Sequence, residues 1–464
     1  MTVESASGIV FEVHVPVVVV GAGAAGLVAA LTAHAENAPV LVLERDALPR
    51  GSTALSAGLV PAAGTRWQRA AGIEDSPDRF AADIMAKAHD EPDPLLVDAL
   101  TRHCGTVLEW LADTHGLAFS VIADFNYPGH SAHRMHGLPT RSGAELMDRL
   151  MHAATDAGIE ILCDAQVTTL FVDADRRIRG LAYARPDGTV ERIGCDALVL
   201  ACNGYGGNRD LVARHVPELS GALYFGHAGN QGEALLWGEA LGAATRDLSG
   251  HQGHGSVAHP AGILITWATI TEGGIQVNTD GIRFSNEALG YSEQAAIVLQ
   301  QPGGIAWTVF DSRIAGIARQ FEDFRQAEAT GVILSANDPT TLATAMKVPP
   351  EALAESLDAV ASLKQAGATD AHGRSFANIP ALQAPYCAVR VTGALFHTQG
   401  GLAVDAHGRV LDQAGQPFAN LFAAGGAACG VSGRVASGYL SGNGLLSAVS
   451  LGAIAGRAAA ARSR

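Results

Sequence analysis

The feature that most constrains this chain lies near its N-terminus. The run VHVPVVVV (13–20) is apolar and largely β-branched, the composition of a strand buried on both faces. GAGAAG follows at once, so Gly21, Gly23 and Gly26 stand in GxGxxG spacing, and LVAALTAHA continues with helical composition. VLVLE (40–44) then reads as a second strand ending in an acid. Strand, glycine turn, helix and strand make a βαβ unit. Its glycines let the backbone turn tightly and approach a pyrophosphate seated on the helix N-terminus, and Glu44 is placed to accept the ribose hydroxyls of an adenosine. The expected fold class is therefore α/β, opening on a Rossmann-like domain.

Further strands are expected in GIEILCDAQVTTLFVD, RIRGLAYA and DALVLACNG, and again in GLAVDAHGRVLDQAGQPFANLFAAGGAACG before a long C-terminal helix. The stretch 256–375 has a different texture, with GGIQVNTDGIRFSNE and a helix pair in which Pro349 and Pro350 mark a start. It reads as an inserted α+β capping domain (256–375), which leaves the nucleotide domain discontinuous over 1–255 and 376–464.

Composition narrows the partners. The net charge of −15 argues against nucleic acid, whose phosphates need clustered Lys and Arg. Six cysteines (Cys104, Cys163, Cys195, Cys202, Cys387, Cys429) without CxxC spacing fit reduced thiols in a cytoplasm. The apolar run from about Gly444 to Ala461 contains Ser447, Ser450 and Arg457 and reads as a buried helix, so no membrane insertion is expected. HSAHRMH places His130, His133 and His136 at a spacing that invites a metal reading, but no helix or strand frame and no acidic second shell supports one. No metal is expected, and His133 and Arg134 are read as shaping a cofactor pocket.

The sequence after Glu44 separates FAD from NAD. GSTALSAG (51–58) offers amides and small hydroxyls for a second phosphate and an isoalloxazine, and SGNGLLSA (441–448) offers amides at a helix start for charge at a flavin pyrimidine edge. With these motifs and LVLACNGYGGN, GNQGEALLWGEALGA, GIRFSNE and HTQGGLAVD, nearly the whole chain resembles the FAD-dependent fumarate reductase, succinate dehydrogenase and 3-ketosteroid dehydrogenase superfamily. The resemblance implies FAD held along Gly21, Gly23, Ala24 and Gly26, with Glu44 and Arg45 at the adenosine end. Ser52, Thr53, Ser56 and Gly58 would lie near the flavin and Val167 at the adenine, with Ala201, Gly204 and Gly425 lining the cofactor. Gly444 and Leu445 would face the pyrimidine ring. Covalent members attach FAD through a histidine in the loop matching 51–58; Ser52 and Thr53 stand there instead, so the FAD is expected to be non-covalent. Gly426 occupies a place where relatives often carry a Glu or Asn.

The same resemblance implies that dicarboxylate reduction needs two arginines and two histidines. His254 and His397 fall on the histidine positions, but Tyr291 and Tyr439 stand where the arginines belong. A phenol cannot grip a carboxylate as a guanidinium does. The ketosteroid dehydrogenases carry tyrosines at both positions and a third in an upstream loop, to which Tyr127 is a looser match. Their usual Pro after these tyrosines is replaced here by Ser292 and Leu440. The expected catalytic set is Tyr291, Tyr439 and Tyr127, with His254, His397, Gly442 and Asn443 at the substrate; Arg434 either pairs with a substrate carboxylate or caps a nearby turn. The expected activity is α,β-desaturation of a cyclic ketone, with Tyr291 as base and a flavin hydride acceptor; the alternative is reduction of an enone or unsaturated acid, with Tyr291 as proton donor. The electron acceptor stays open among a quinone, oxygen and an electron-transfer protein.

Overall fold

A computed structural model of the chain describes residues 1–123 and 126–463. It divides into two compact units. The first comprises 1–216, 226–251 and the segment from 397 onward; the second comprises 217–225 and 252–396.

The first unit is built on the expected βαβ element. Val13–Val20 pairs in parallel with Val40–Leu43, and Ala24–Ala35 is the helix between them. Val190–Leu200 is the pivot of the sheet. It lies parallel to Val13–Val20 on one side, while on the other its first half pairs antiparallel with Ile178–Ala184 and its last residues run parallel to Pro417–Ala423. The sheet is extended outward by Gln166–Val172 and Thr2–Ser5 at one edge and Glu160–Leu162 at the other. Val17 to Val20, with Leu198, Val199 and Leu200 beside them, are buried, as the near-continuous apolar runs predict for strands covered on both faces.

The C-terminal helix lies against Ala24–Ala35 in this unit. The small residues on its face explain the close approach: a Cβ on Gly452 would stand 2.6 Å from the Ala25 carbonyl oxygen, and Gly456 meets the Ala29 carbonyl in the same way. Asn443–Arg462 is the one described helix long and apolar enough to cross a membrane, and most of it is buried inside this unit. It contains a π-helical turn over Ser447–Leu451, a distortion that recurs near functional sites.

The second unit is organised by the long strand Tyr386–Thr398. It pairs antiparallel with Ile305–Asp311 and Ile333–Ala336 and parallel with Leu223–Tyr224. Successive residues serve opposite faces: Val389 and Val391 join Phe310 and Phe324 in one core, while Ala388 joins Val309, Leu353 and Phe376 in another. This pairing moves the unit boundary. The expected break at 375/376 falls instead at 396/397, the break at 255/256 falls at 251/252, and residues 217–225 belong to the second unit. A central strand cannot be parted from its hydrogen-bonding neighbours, whereas a change of sequence texture carries no pairing information. The helix expected at Pro349 and Pro350 is found at Pro350–Ala366.

Candidate active site

The glycine turn is shaped for a close ligand. Gly21 adopts φ +102°, and a Cβ there would stand 2.6 Å from the Ala201 carbonyl oxygen. Gly26 lets the helix pack onto the strand, since its Cβ would collide with the Gly21 carbonyl. At Gly23, which caps the helix, a Cβ would meet only Thr53 Oγ1, at 3.6 Å, so the space above the helix N-terminus is open to an anion. Glu44 is buried, and its carboxylate accepts the Ala22 N–H at 2.8 Å and the Asp46 N–H at 3.0 Å. Burial pushes its pKa up.

Among the expected cofactor residues, Thr53, Ala201 and Gly425 pack against this turn or its helix. Thr53 Oγ1 accepts the Ala24 N–H at 3.2 Å. Ser52 Oγ accepts the His227 N–H and the Asn230 amide, at 3.2 and 2.8 Å. Ser56 closes its own turn, donating to the Thr53 carbonyl and accepting from the Gly58 N–H. Ala201 donates to the Val20 carbonyl, Gly204 packs on Thr398 Oγ1, and a Cβ on Gly425 would stand 2.9 Å from Ala25 Cβ. Val167 is a buried strand residue. Arg45 is engaged within the protein: its guanidinium donates to the Gly229 carbonyl and to Glu233, at 2.5 and 2.8 Å.

Tyr439, His397 and the 441–445 turn come together in the first unit. Tyr439 is buried, and its hydroxyl oxygen takes hydrogen bonds from the backbone N–H groups of Gly442 and Gly444. Burial nevertheless raises its pKa, so it keeps its proton. The His397 ring stands edge-on to it at 5.5 Å between centroids. Burial holds His397 at about 4, a neutral imidazole. Gly442 adopts φ +88° and packs on Pro61, so the turn that aims these amides admits no side chain. Tyr127 is close enough to Tyr439 to disfavour its phenolate, and its own phenol is pushed up to about 12 by burial. The structure thus groups Tyr127 with Tyr439 as a second protonated phenol.

Tyr291 and His254 come together in the second unit. Tyr291 is the first residue of the helix Tyr291–Leu299, behind Gly290. Four rings stack in series: Phe225 on Phe396 (4.7 Å, 16°), Phe396 on His254 (5.3 Å, 23°) and His254 on Tyr291 (4.9 Å, 22°). Trp267 lies edge-on to both His254 and Tyr291. The Ser256 N–H donates to His254 Nδ1 at 3.2 Å, so the ring proton sits on Nε2. Burial lowers this histidine to about 3, so it stays neutral. His254 and Trp267, packed against Tyr291, and His397, packed against Tyr439, carry no charge.

A family model described as an FAD binding domain matches residues 16–445. The chain belongs to this FAD-binding family. It is 31% identical over 446 residues to a probable fumarate reductase, Ifc3, of Shewanella frigidimarina, covering 96% of this chain and 74% of that protein. It is 26% identical to the 4-oxocyclohexanecarboxylate 2-dehydrogenase of Sinomonas cyclohexanicum, covering 89% of this chain and 87% of that one. Among solved structures, a flavocytochrome c3 fumarate reductase in its open conformation shares 29% identity at a TM-score of 0.84, over 99% of this chain and 80% of that one. A Rhodococcus jostii 3-ketosteroid-Δ4-(5α)-dehydrogenase shares the fold at TM-score 0.78 and 24% identity, over 99% and 100%. The protein is an FAD-dependent oxidoreductase of the class acting on CH–CH and C=C bonds.

The residues present fit FAD. Two buried polar atoms at the start of the C-terminal helix, Asn443 Oδ1 and Ser447 Oγ, have no protein partner. An acceptor and a hydroxyl left in this way incur a desolvation cost unless a ligand answers them, and the imide edge of an isoalloxazine offers both an N–H and carbonyl oxygens. Leu445 sits half-buried in the same turn. Residues 51–58 hold no histidine, so they offer no imidazole for a covalent link.

Two expectations take a different form. Arg434 is exposed and paired with Glu91, which accepts from its backbone N–H at 2.7 Å and from its guanidinium at 3.3 Å. In this structure its guanidinium faces Glu91 on a surface loop. Arg134 is fully buried, bidentate on Asp75 (2.9 and 3.0 Å), paired with Asp83 and stacked over Phe80 at 4.5 Å. It clamps the helix-rich lobe around residues 75–83. In the same loop, His130 Nε2 bonds the Ser441 carbonyl at 2.9 Å and His136 Nε2 meets Thr65 Oγ1 at 2.8 Å. His130 and His136 are thus used as local struts, and no metal-binding group of three or more His, Cys, Asp or Glu is found among the described residues. The reading of single residues missed Gln399, Ser432 and the Phe225–Phe396 pair. Gln399 had a signal: it follows His397 by two positions, at the end of an extended run in which such residues share a face.

Proposed function

We propose that this flavoprotein desaturates a cyclic ketone at the bond α,β to its carbonyl. The observation that carries the reading is the Tyr439 hydroxyl, fixed by two backbone N–H groups beside a neutral His397. With its oxygen held by amides and its proton retained, this phenol is suited to donate a hydrogen bond to a carbonyl oxygen and to stabilise the charge that grows there as an enolate forms. Tyr291 takes the α-proton, which the polarised carbonyl has acidified. Bound FAD supplies the two-electron acceptor for the β-hydride. An ordinary phenol has a pKa near 10, so Tyr291 must be lowered by about 2–3 to act as a base at neutral pH. A dianionic substrate is disfavoured because each lost charge-assisted hydrogen bond removes about 1.5–3 kcal/mol. The similarity to an oxocyclohexanecarboxylate dehydrogenase supports the ketone class. A quinone, oxygen or electron-transfer protein takes the electrons onward. The six free cysteines support a cytoplasmic setting.

A second reading runs the electrons the other way, with an enone or unsaturated acid reduced and Tyr291 giving the proton. The 31% identity to a probable fumarate reductase favours it. Anaerobic mixing separates the two. A cyclic ketone that bleaches the yellow protein supports desaturation. An enone or enoate that restores the colour of the chemically reduced protein, with no ketone bleaching it, supports reduction.

A further inference from the structure

A line of hydrogen bonds ends on His397. Asn443 Nδ2 donates to Ser432 Oγ at 3.0 Å. Ser432 Oγ donates to Gln399 Oε1 at 2.7 Å, and Gln399 Nε2 reaches His397 Nδ1 at 2.8 Å. Ser432, Gln399 and Asn443 are all buried. The line has one direction. Asn443 Nδ2 also faces the Val431 carbonyl at 3.4 Å, which an amide oxygen would not do, so Ser432 accepts from Asn443 and sends its single proton to the Gln399 carbonyl. The Gln399 nitrogen is then the end that faces the imidazole. Turning the Gln399 amide over would leave the serine proton without its acceptor.

We propose that Gln399 is a positioning residue that locks His397 in the tautomer carrying its proton on Nε2. This places a neutral N–H donor on the ring edge nearest the 441–445 turn: a Cβ built on Gly444 would stand 2.9 Å from both Nε2 and Cε1 of His397. The competing arrangement, Nδ1–H to the Thr398 carbonyl, has the longer distance of 3.3 Å. The line begins at Asn443, whose other amide atom is the unpartnered Oδ1 assigned above to the flavin edge. One side chain thus touches the cofactor's element and, through two relays, sets the proton of the histidine beside Tyr439. The catalytic use of that donor, a second hydrogen bond to the substrate carbonyl, rests on the function proposed above; the tautomer does not.

The test uses the FAD-loaded protein with 15N-labelled histidine and long-range proton–nitrogen spectra, His397 being assigned with a His397→Gln variant. The expected wild-type pattern is Nε2-protonated and unchanged over about pH 5–8, the range in which an ordinary histidine titrates. Gln399→Glu, whose carboxylate can only accept, should draw the proton to Nδ1, and should lower kcat on a bleaching ketone by on the order of 10²-fold with little change in KM, the effect of losing one preorganised donor. Ser432→Ala removes the hydroxyl that orients Gln399 without adding bulk and should give a mixture of tautomers; it keeps the test available if Gln399→Glu does not load FAD. An Nδ1-protonated wild type, or a pattern untouched by both substitutions, overturns the proposal. If the tautomer responds as expected but no ketone bleaches the protein, the positioning role stands and the proposed function falls.

Discussion

Tyr439→Phe deletes a single oxygen from a pocket that leaves nothing else in its place, so its consequences can be worked out term by term. The backbone N–H groups of Gly442 and Gly444 both point at that oxygen, and the residue is buried. Removing it strands two donors, each costing about 1–3 kcal/mol when no water replaces it. The variant should therefore unfold more easily by a few kcal/mol while still folding around FAD. The catalytic effect is larger in rate. If the phenol stabilises the developing enolate, losing one preorganised donor raises the barrier by about 2.7–4 kcal/mol, or 10²–10³ in rate. The measurement is anaerobic stopped-flow bleaching of the FAD absorbance by a saturating cyclic ketone, with denaturant titration of the same preparation. The fall should appear in the limiting rate, because the bond strengthens as charge develops and adds less to ground-state binding. A loss smaller than about tenfold in the limiting rate, equivalent to ~1.4 kcal/mol, refutes the role assigned to Tyr439, whatever happens to stability.

Tyr291→Phe should abolish bleaching by orders of magnitude while the protein stays yellow, as a visible spectrum before and after ketone addition will show; near-normal turnover would remove Tyr291 from the proton transfer. Arg434→Ala should leave turnover within about twofold and cost at most about 1 kcal/mol of stability, since an exposed pair such as Arg434–Glu91 contributes little. A large rise in KM would instead return this arginine to the substrate. Arg134→Ala strands Asp75, which is buried with it, and should destabilise the fold by about 3–5 kcal/mol in urea or thermal melts. Acid should weaken the protein through its buried histidines. His130, His136 and His397 are held at about 4 and His254 at about 3. The unfolded chain binds protons as pH falls below about 6.5 while the folded chain refuses them, so stability drops from there down to about pH 4, by about 2 kcal/mol per ring at pH 5. A melting temperature flat over that range would contradict the buried neutral imidazoles.

What the sequence revealed divides along one line, local against non-local. The βαβ unit was legible because its signals are contiguous: Val13–Val20, the three glycines and Glu44 lie within one short stretch, and each has a separate physical reason to be there. The two tyrosines were legible because the motifs that flank them fix their register within a family. The boundary of the second unit was not, because the strand Tyr386–Thr398 takes its partners from residues 223, 305 and 333, and no composition change marks a pairing made at that range. Arg434 shows the same limit at short range. It stands five residues before Tyr439, yet its charge is taken by Glu91, which no sequence pattern connects to it.

The relay to His397 is the sharpest instance. Asn443, Ser432 and Gln399 each read as unremarkable polar residues in glycine-rich turns, and only packing turns them into a directed line. Yet that line decides which face of the imidazole carries a proton, and residue identity alone says nothing of this. A histidine and two tyrosines define what can be bonded. The buried amides and hydroxyls behind them define in which direction each bond runs, and it is direction that separates a group that donates to a carbonyl from one that merely stands beside it.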